Sequence, residues 1–335
     1  MKISVVGLGS IGRRHLKGLK KIQKKLQLSA IKGFDLSEER RNQAFKEVPG
    51  IEVTSSLEEC IAGASLVFVC VPTSKHMQVI NEIHTFGQFN LFIEKPLSHT
   101  LDGCDDLEFA FSRSKKSCSV GYMLRFHPVI NELKKIVDQK VYGRPINVRV
   151  EAGFYLPFWH PWENYQDFYM SWKIGGGGAL LDISHEIDYL NWIFGNIQEV
   201  NGLIGTVSDL EISSDDLSAS ILRFNSGLIG ELHLDLLQFE ESRYCKVIFT
   251  DGVVIADLMT NEIKKFSKNS KKWSVKKLKV DINKVYENEY IDIIDRARGK
   301  KSIGCSLRES SHVMQVIEGI RKSSSVSSSI KLPIY

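Results

Sequence analysis

The chain has 335 residues, 43% of them hydrophobic and 25% charged, with a net charge of +4. That length is too great for one ordinary core and fits two domains, and the composition lies near the globular average, which argues against disorder. The small charge and the lack of a basic-aromatic module argue against nucleic-acid binding. No run approaches the roughly 18 apolar residues of a membrane span, so neither partner is expected.

The chain opens Met1-Lys2-Ile3-Ser4-Val5-Val6, too short an apolar run for a signal peptide. Ile3 to Val6 reads as a buried strand, and Ser10 to Leu26 as a helix with Ile11, His15, Leu19, Ile22 and Leu26 at helical spacing. Further strands are expected at Ala30 to Phe34, Ile51 to Val53, Leu66 to Val71, Leu91 to Ile93 and Cys118 to Gly121. Helices are expected over His76 to Phe86 and Leu101 to Phe111. Such alternation predicts an α/β class with an N-terminal doubly wound parallel sheet of the Rossmann type over residues 1–122.

Beyond residue 123 the texture changes. A helix over Val129 to Val137 leads into strands at Ile146 to Ala152, Val200 to Ile204, Leu217 to Phe224, Leu228 to Leu236, Tyr244 to Phe249 and Val253 to Leu258. Turns at Asn225-Ser226-Gly227 and Asp251-Gly252 join neighbours antiparallel. Residues 123–335 therefore read as an α+β domain with a large, mostly antiparallel open sheet. A helix over Ala179 to Phe194 interrupts it, and helices from Tyr286 to Ser323 follow. The lysines from Lys264 to Lys277 suit a solvated edge strand, and the serine run Ser323 to Ser329 suits a frayed end. The six cysteines (Cys60, Cys70, Cys104, Cys118, Cys245 and Cys305) are scattered without a Cys-x-x-Cys pair, so a reduced, cytoplasmic setting is expected.

Gly7-Leu8-Gly9-Ser10-Ile11-Gly12 stands where a dinucleotide loop must, after the first strand and opening the first helix. Gly7 permits the tight turn, Gly9 admits a pyrophosphate to the backbone, and Gly12 allows close helix-strand packing. The first helical amides, from Ser10 and Ile11 onward, then face the anion. Asp35 ends the second strand, where a carboxylate accepts from ribose hydroxyls and repels a 2′-phosphate, so NAD is favoured over NADP. Arg13, Arg14, Ser37 and Arg40 lie close enough to leave NADP open.

Two segments lie at carboxyl ends of strands, along the expected cofactor crevice: Val71-Pro72-Thr73-Ser74-Lys75-His76 and Glu94-Lys95-Pro96-Leu97. Lys95 brings a positive charge there, and the proline after it holds it out of helical geometry and makes a cis bond possible. A third segment runs from Gly175 to Asp188, with four glycines suggesting close backbone approach. Asp182 and His185 are three apart and are expected on one helix face, with Asp188 nearby. Three turns of one helix rarely converge on an ion, so no metal is expected.

Gly7 to Gly12, Pro72-Thr73-Ser74-Lys75-His76, Glu94-Lys95-Pro96-Leu97 and Gly176 to Asp188, in this order, resemble the Gfo/Idh/MocA family, named after glucose-fructose oxidoreductase and inositol dehydrogenase. The resemblance covers essentially the whole chain and implies hydride transfer between a sugar-like or cyclitol carbon and nicotinamide. It implies that Lys95 meets both cofactor and substrate and stabilises charge on the reacting oxygen. It makes His185 the general acid/base, since imidazoles titrate near neutrality, and Asp182 its orienting partner. It aligns Val71, Pro72, Thr73, His76 and Glu94 with the cofactor. The family places the helix aspartate four residues before the histidine, whereas here the gap is three. Met123-Leu124-Arg125-Phe126-His127-Pro128 matches a further family element, in which Arg125 meets the cofactor, a substrate anion or a structural carboxylate.

Tyr155-Leu156-Pro157-Phe158-Trp159-His160-Pro161-Trp162-Glu163 reads as an aromatic loop. With Trp172 and Lys173 it forms a candidate wall for a carbohydrate, Trp162 foremost; an internal packing or subunit contact is the alternative. The stretch also resembles family members of bacterial nonulosonate sugar pathways. The expected substrate is a sugar, sugar derivative or nucleotide sugar. A non-catalytic cofactor-binding regulator and an NAD-retaining epimerase or isomerase stay open. Strands with apolar residues on both alternations, such as Leu228 to Leu236, predict a homo-oligomer, dimer or tetramer.

Overall fold

The computed structural model describes residues 1–159 and 164–333. Its first elements are β1 (Lys2–Val6), α1 (Ser10–Ile22), β2 (Ala30–Phe34), α2 (Glu38–Glu47), β3 (Glu52–Val53), α3 (Leu57–Ile61) and β4 (Leu66–Val69). Next come α4 (His76–Thr85), β5 (Asn90–Ile93), α5 (Cys104–Ser112), β6 (Cys118–Val120), α6 (Pro128–Asp138) and β7 (Pro145–Tyr155). They are followed by α7 (Leu156–Trp159), α8 (Ala179–Asp182), α9 (His185–Phe194), β8 (Ile197–Gly205), β9 (Leu217–Phe224) and β10 (Ile229–Asp235). The remaining elements are β11 (Leu237–Phe249), β12 (Gly252–Asp257), β13 (Glu262–Ser267), β14 (Lys272–Lys277), α10 (Ile282–Ala297), β15 (Cys305–Ser306), α11 (Leu307–Val326) and β16 (Ile330–Lys331).

Contacts divide the chain into two compact units, Met1–Met123 with Asp281–Ser311, and Leu124–Val280 with His312–Tyr335. Residues 281–311 thus join the first unit, whereas the sequence suggests that everything after 123 belongs to the second. The cause is the apolar face of α10: Tyr290, Ile293 and Ile294 lie in one core with Leu16 and Leu19 of α1. A Cβ at Gly18 would stand 2.1 Å from the Tyr290 ring, so glycine there lets α10 approach α1.

The first unit holds a seven-stranded sheet in the order β15-β6-β5-β4-β1-β2-β3, parallel except for β15. The order reverses between β1 and β4, the place where doubly wound sheets bind ligands. Strands β4 and β5 are buried along their whole length, as expected for a sheet covered on both faces. Helix α1 ends at Ile22, short of Leu26, where Gln23 N–H donates back to the Lys20 carbonyl and residues 23–27 form turns. Helices α2 and α3 escape the apolar-period reading: α2 buries only Ala44, and α3 has five residues. Each is started by a serine, Ser37 accepting from Arg40 N–H and Ser56 from Glu59 N–H.

The second unit is built on a nine-stranded sheet, β14-β13-β12-β11-β7-β10-β9-β8-β16, in which only β7 and β10 pair parallel. Val148, Val150, Leu232, Leu234, Cys245, Val247, Val254 and Ala256 form its buried face. The lysine-rich β14 is exposed throughout, consistent with a charged edge. The serine run is not frayed: Ser323 is buried and accepts from Gly202 N–H, and Ser324 accepts from Ile204 N–H. All six cysteines are buried thiols.

Candidate active site

Gly7 adopts φ 93°, and a Cβ there would fall 2.6 Å from the Cys70 carbonyl. At Gly12 a Cβ would lie 1.9 Å from the Gly7 oxygen, so both positions need glycine for the turn itself. Gly9 is different. Nothing lies within 4 Å of its Cβ position, which leaves open space over the loop. The α1 N-terminus carries no side-chain cap and no acidic residue in its first turn, so the amides after Gly9 keep their affinity for an anion. Ser10 is exposed at this mouth, and Ile11 is half-buried.

Asp35 binds the loop from beside it. One carboxylate oxygen accepts from Leu8 N–H at 2.7 Å, the other from Ser37 N–H at 2.8 Å. Arg40 Nη1 stands 3.8 Å away. Each oxygen retains a lone pair for a ligand hydroxyl. Open space, free helical amides and a fixed carboxylate together fit a dinucleotide.

The loops after β4 and β5 meet through His76. Its ring is buried, with Nε2 3.0 Å from the Val71 oxygen and Nδ1 3.1 Å and 3.3 Å from the Pro96 and Leu97 oxygens. Burial lowers its pKa, against the raising effect of these carbonyls and of Glu94. With both nitrogens against backbone oxygens, His76 braces the two loops. Val71 supplies a carbonyl to the same brace, Pro72 is exposed and Thr73 buried. The Lys95-Pro96 bond is cis. Lys95 is half-buried, and its N–H donates to Glu94 Oε2 at 3.1 Å.

In the second unit the expected helix over 179–194 breaks at Ile183 and Ser184. Asp182 ends α8 and His185 begins α9, so the pair flanks a turn instead of sharing one regular helix face. Asp182 Oδ1 accepts from Tyr169 O–H at 2.8 Å and Oδ2 from Gly178 N–H at 3.1 Å. Tyr169 lies in the irregular stretch before the glycines, where no periodicity marks it. The glycine run approaches protein atoms: a Cβ at Gly177 would sit 2.3 Å from the Met170 oxygen, and one at Gly178 2.4 Å from Asp215 Oδ1. Asp215 accepts from Leu180 N–H, and burial pushes its carboxyl pKa up.

The other acidic residues of α9 are engaged by arginines. Glu186 takes Arg243 through bonds of 2.7 Å and 3.0 Å. Asp188 takes Arg125 through Nε at 3.0 Å and Nη2 at 2.7 Å, both side chains being buried. Arg125 thus forms a buried ion pair with Asp188, one of the roles the sequence leaves open. Trp172 is 46% exposed and Lys173 is exposed, just ahead of the glycines. Trp162 lies outside the described residues.

Comparison with known proteins follows this geometry. Residues 1–122 match the family described as "Oxidoreductase family, NAD-binding Rossmann fold", and residues 130–255 match the "GFO/IDH/MocA C-terminal domain". The chain is 25% identical to the uncharacterized oxidoreductase YrbE of Bacillus subtilis, over 68% of this chain and 64% of that protein, just under two thirds of its length. It is 29% identical to the myo-inositol 2-dehydrogenase of Thermotoga maritima, over 69% of this chain and 67% of that one. Among solved structures, a levoglucosan dehydrogenase complex with NADH and levoglucosan matches with a TM-score of 0.87 at 17% identity, covering 99% of both chains. The WlbA dehydrogenase from Bordetella pertussis in complex with NADH and UDP-GlcNAcA matches with a TM-score of 0.81 at 19% identity, covering 100% of this chain and 99% of that one. At such identities these two structures speak for the fold alone. The family matches cover well over half of the sequence, and the glycine loop, the Lys95 loop and the Asp182–His185 turn stand in the family's order: the chain belongs to the Gfo/Idh/MocA oxidoreductase family, with an NAD-binding Rossmann domain as its first unit.

Proposed function

We propose that the protein is an NAD-dependent dehydrogenase or reductase of a sugar, sugar derivative or nucleotide sugar, acting at a CH–OH carbon. The observation that carries this reading lies in the first unit. The open, uncapped start of α1 is combined there with a half-buried lysine at the carboxyl end of β5, two strands from β1. The inositol dehydrogenases among the relatives and the sugar ligands named in the solved structures support the substrate class. A role in a nonulosonate pathway, a cytoplasmic location and a dimer or tetramer are parts of the same proposal. Exposed Leu203 and Ile221 on the open sheet support self-association.

NAD, when bound, supplies the hydride acceptor. Gly9, Ser10 and Ile11 would hold its pyrophosphate by backbone amides, and Asp35 its ribose. Lys95 Nζ donates a hydrogen bond to the reacting oxygen and stabilises negative charge there. His185 takes up the hydroxyl proton in oxidation and returns it in reduction. Asp182, its carboxylate held by Tyr169 and Gly178, is the proposed orienting partner of that histidine. Trp172, Lys173 and Trp162 are the proposed sugar contacts.

The test is turnover of NAD by the wild type with myo-inositol, levoglucosan and UDP-linked uronic acids, together with mass spectrometry of co-purifying sugars. Steady-state NADH formation that K95M abolishes while still binding NADH is the expected result. Conversion of a sugar with no net NADH signal would make the protein an epimerase. K95M that turns over at the wild-type rate would remove the catalytic reading.

A further inference from the structure

Buried beneath the glycine loop lies a polar line that the reaction above does not use. His15 of α1 has no exposed surface and is ringed by Phe68, Phe92, Tyr286 and Tyr290, with centroids 5.4–6.2 Å away. An imidazole in such surroundings is costly unless its nitrogens are bonded. Nδ1 stands 3.1 Å from the Tyr290 hydroxyl and Nε2 2.5 Å from Glu94 Oε1. The other Glu94 oxygen accepts the Lys95 N–H.

The partners decide which group donates to Glu94. Glu94, as a carboxylate, has only acceptors, so His15 must present Nε2–H to it. Nδ1 and the Tyr290 hydroxyl form the second bond, a phenol being able to donate or to accept. Burial pushes the Tyr290 phenol pKa far up, which keeps its proton in place. The line therefore runs from Tyr290 to His15, with His15 N–H and Lys95 N–H both donating to Glu94. It is packed to fit: a Cβ at Gly121 would lie 3.2 Å from Glu94 Oε2, and Gly18 makes room for Tyr290.

We propose that His15 is a positioning residue for Lys95, acting through Glu94 and itself oriented by Tyr290. The Glu94 carboxylate cannot both swing and hold the Lys95 amide; the imidazole on its other oxygen fixes it, and with it the peptide from which the lysine side chain leaves. The inference rests on Lys95 being the catalytic lysine, and its test does not depend on turnover.

The experiment is amide hydrogen exchange of the ligand-free protein, read at Lys95, Phe92 and Gly121. In H15L the Lys95 amide is expected to exchange about tenfold faster or more, while Phe92 and Gly121 stay within about threefold of wild type. H15Q, whose amide can still donate to Glu94, restores most of the protection, and Y290F loses a part of it. NADH affinity stays within about threefold in all three. Unchanged Lys95 exchange in H15L and Y290F would overturn the proposal, as would acceleration of all three amides together or an H15Q no better than H15L. Should H15L not fold, the histidine-labelled wild type decides: nitrogen shifts of the Nε2–H tautomer or of the imidazolium support the line, those of a neutral Nδ1–H ring sink it. A fully active K95M would fail the functional reading and leave these exchange results intact; a dead K95M with unaltered exchange in H15L would fail this inference alone.

Discussion

Arg125→Met separates a structural from a cofactor role. Arg125 reaches Asp188 by three bonds of 2.7–3.2 Å, and the two side chains are 2% and 0% exposed. The guanidinium also lies 5.5 Å from the Trp192 ring. Removing one partner of such a pair leaves a buried charge without compensation and costs about 3–5 kcal/mol. For a unit of this size each kcal/mol lowers Tm by about 2–4 °C, so the variant should melt roughly 6–20 °C below wild type. R125M/D188L, which removes both charges, should recover most of that loss. Differential scanning calorimetry with and without NADH reads both quantities. An R125M that melts within about 2 °C of wild type yet loses NADH affinity would refute the reasoning and return Arg125 to the cofactor.

Two further substitutions contrast fold and ligand at the glycine loop. Gly9→Ala adds a methyl group with no protein atom within 4 Å, so Tm should hold while NADH affinity, measured by fluorescence titration, falls about tenfold or more. Gly12→Ala drives a Cβ against the Gly7 oxygen and should cost about 3 kcal/mol in a denaturation curve; equal effects of the two on Tm would contradict the geometry. His127, buried at the start of α6, has its pKa lowered from 6.5 to about 4, first by burial and then by Arg243. A base depressed in the folded state is neutral there while the unfolded chain binds the proton. Its contribution is therefore complete above pH 6.5 and lost as pH falls toward 4, about 2 kcal/mol of it by pH 5. His127→Asn, which can keep the bond from Val129 N–H, should show a stability loss between pH 7 and 5 smaller by that amount; parallel pH curves for both proteins would exclude it.

What the sequence reveals follows the strength of its periodic signals. Strands β2 and β9 run over the residues their apolar patterns mark, because burial on one or both faces selects those residues. The glycine loop is legible for the same reason: sterics leave no alternative at Gly7 and Gly12. Helix α2 is hidden because it lies on the surface and buries one alanine, so its start is written in Ser37 and not in hydrophobic spacing. Strands β13 and β14 are masked by their lysines, which keep an edge soluble and erase the alternation. At the candidate site, the sequence singles out Lys95, Asp182 and His185 but not the contacts that surround them. Tyr169, Glu94's contact with His15, and the arginines on Glu186 and Asp188 come from distant segments, and no local spacing encodes such meetings. The break at Ile183 and Ser184 is equally silent, since both residues fit an apolar helix.

The return of residues 281–311 to the first unit bears on biosynthesis. The groove between Gly18 and its neighbours on α1 stays unfilled until Tyr290 has left the ribosome, when every strand of the second unit's large sheet but β16 has already been made. A nascent chain stopped at residue 123 carries the nucleotide loop without the helix that completes its core. The glycine loop is therefore made long before the core behind it can close.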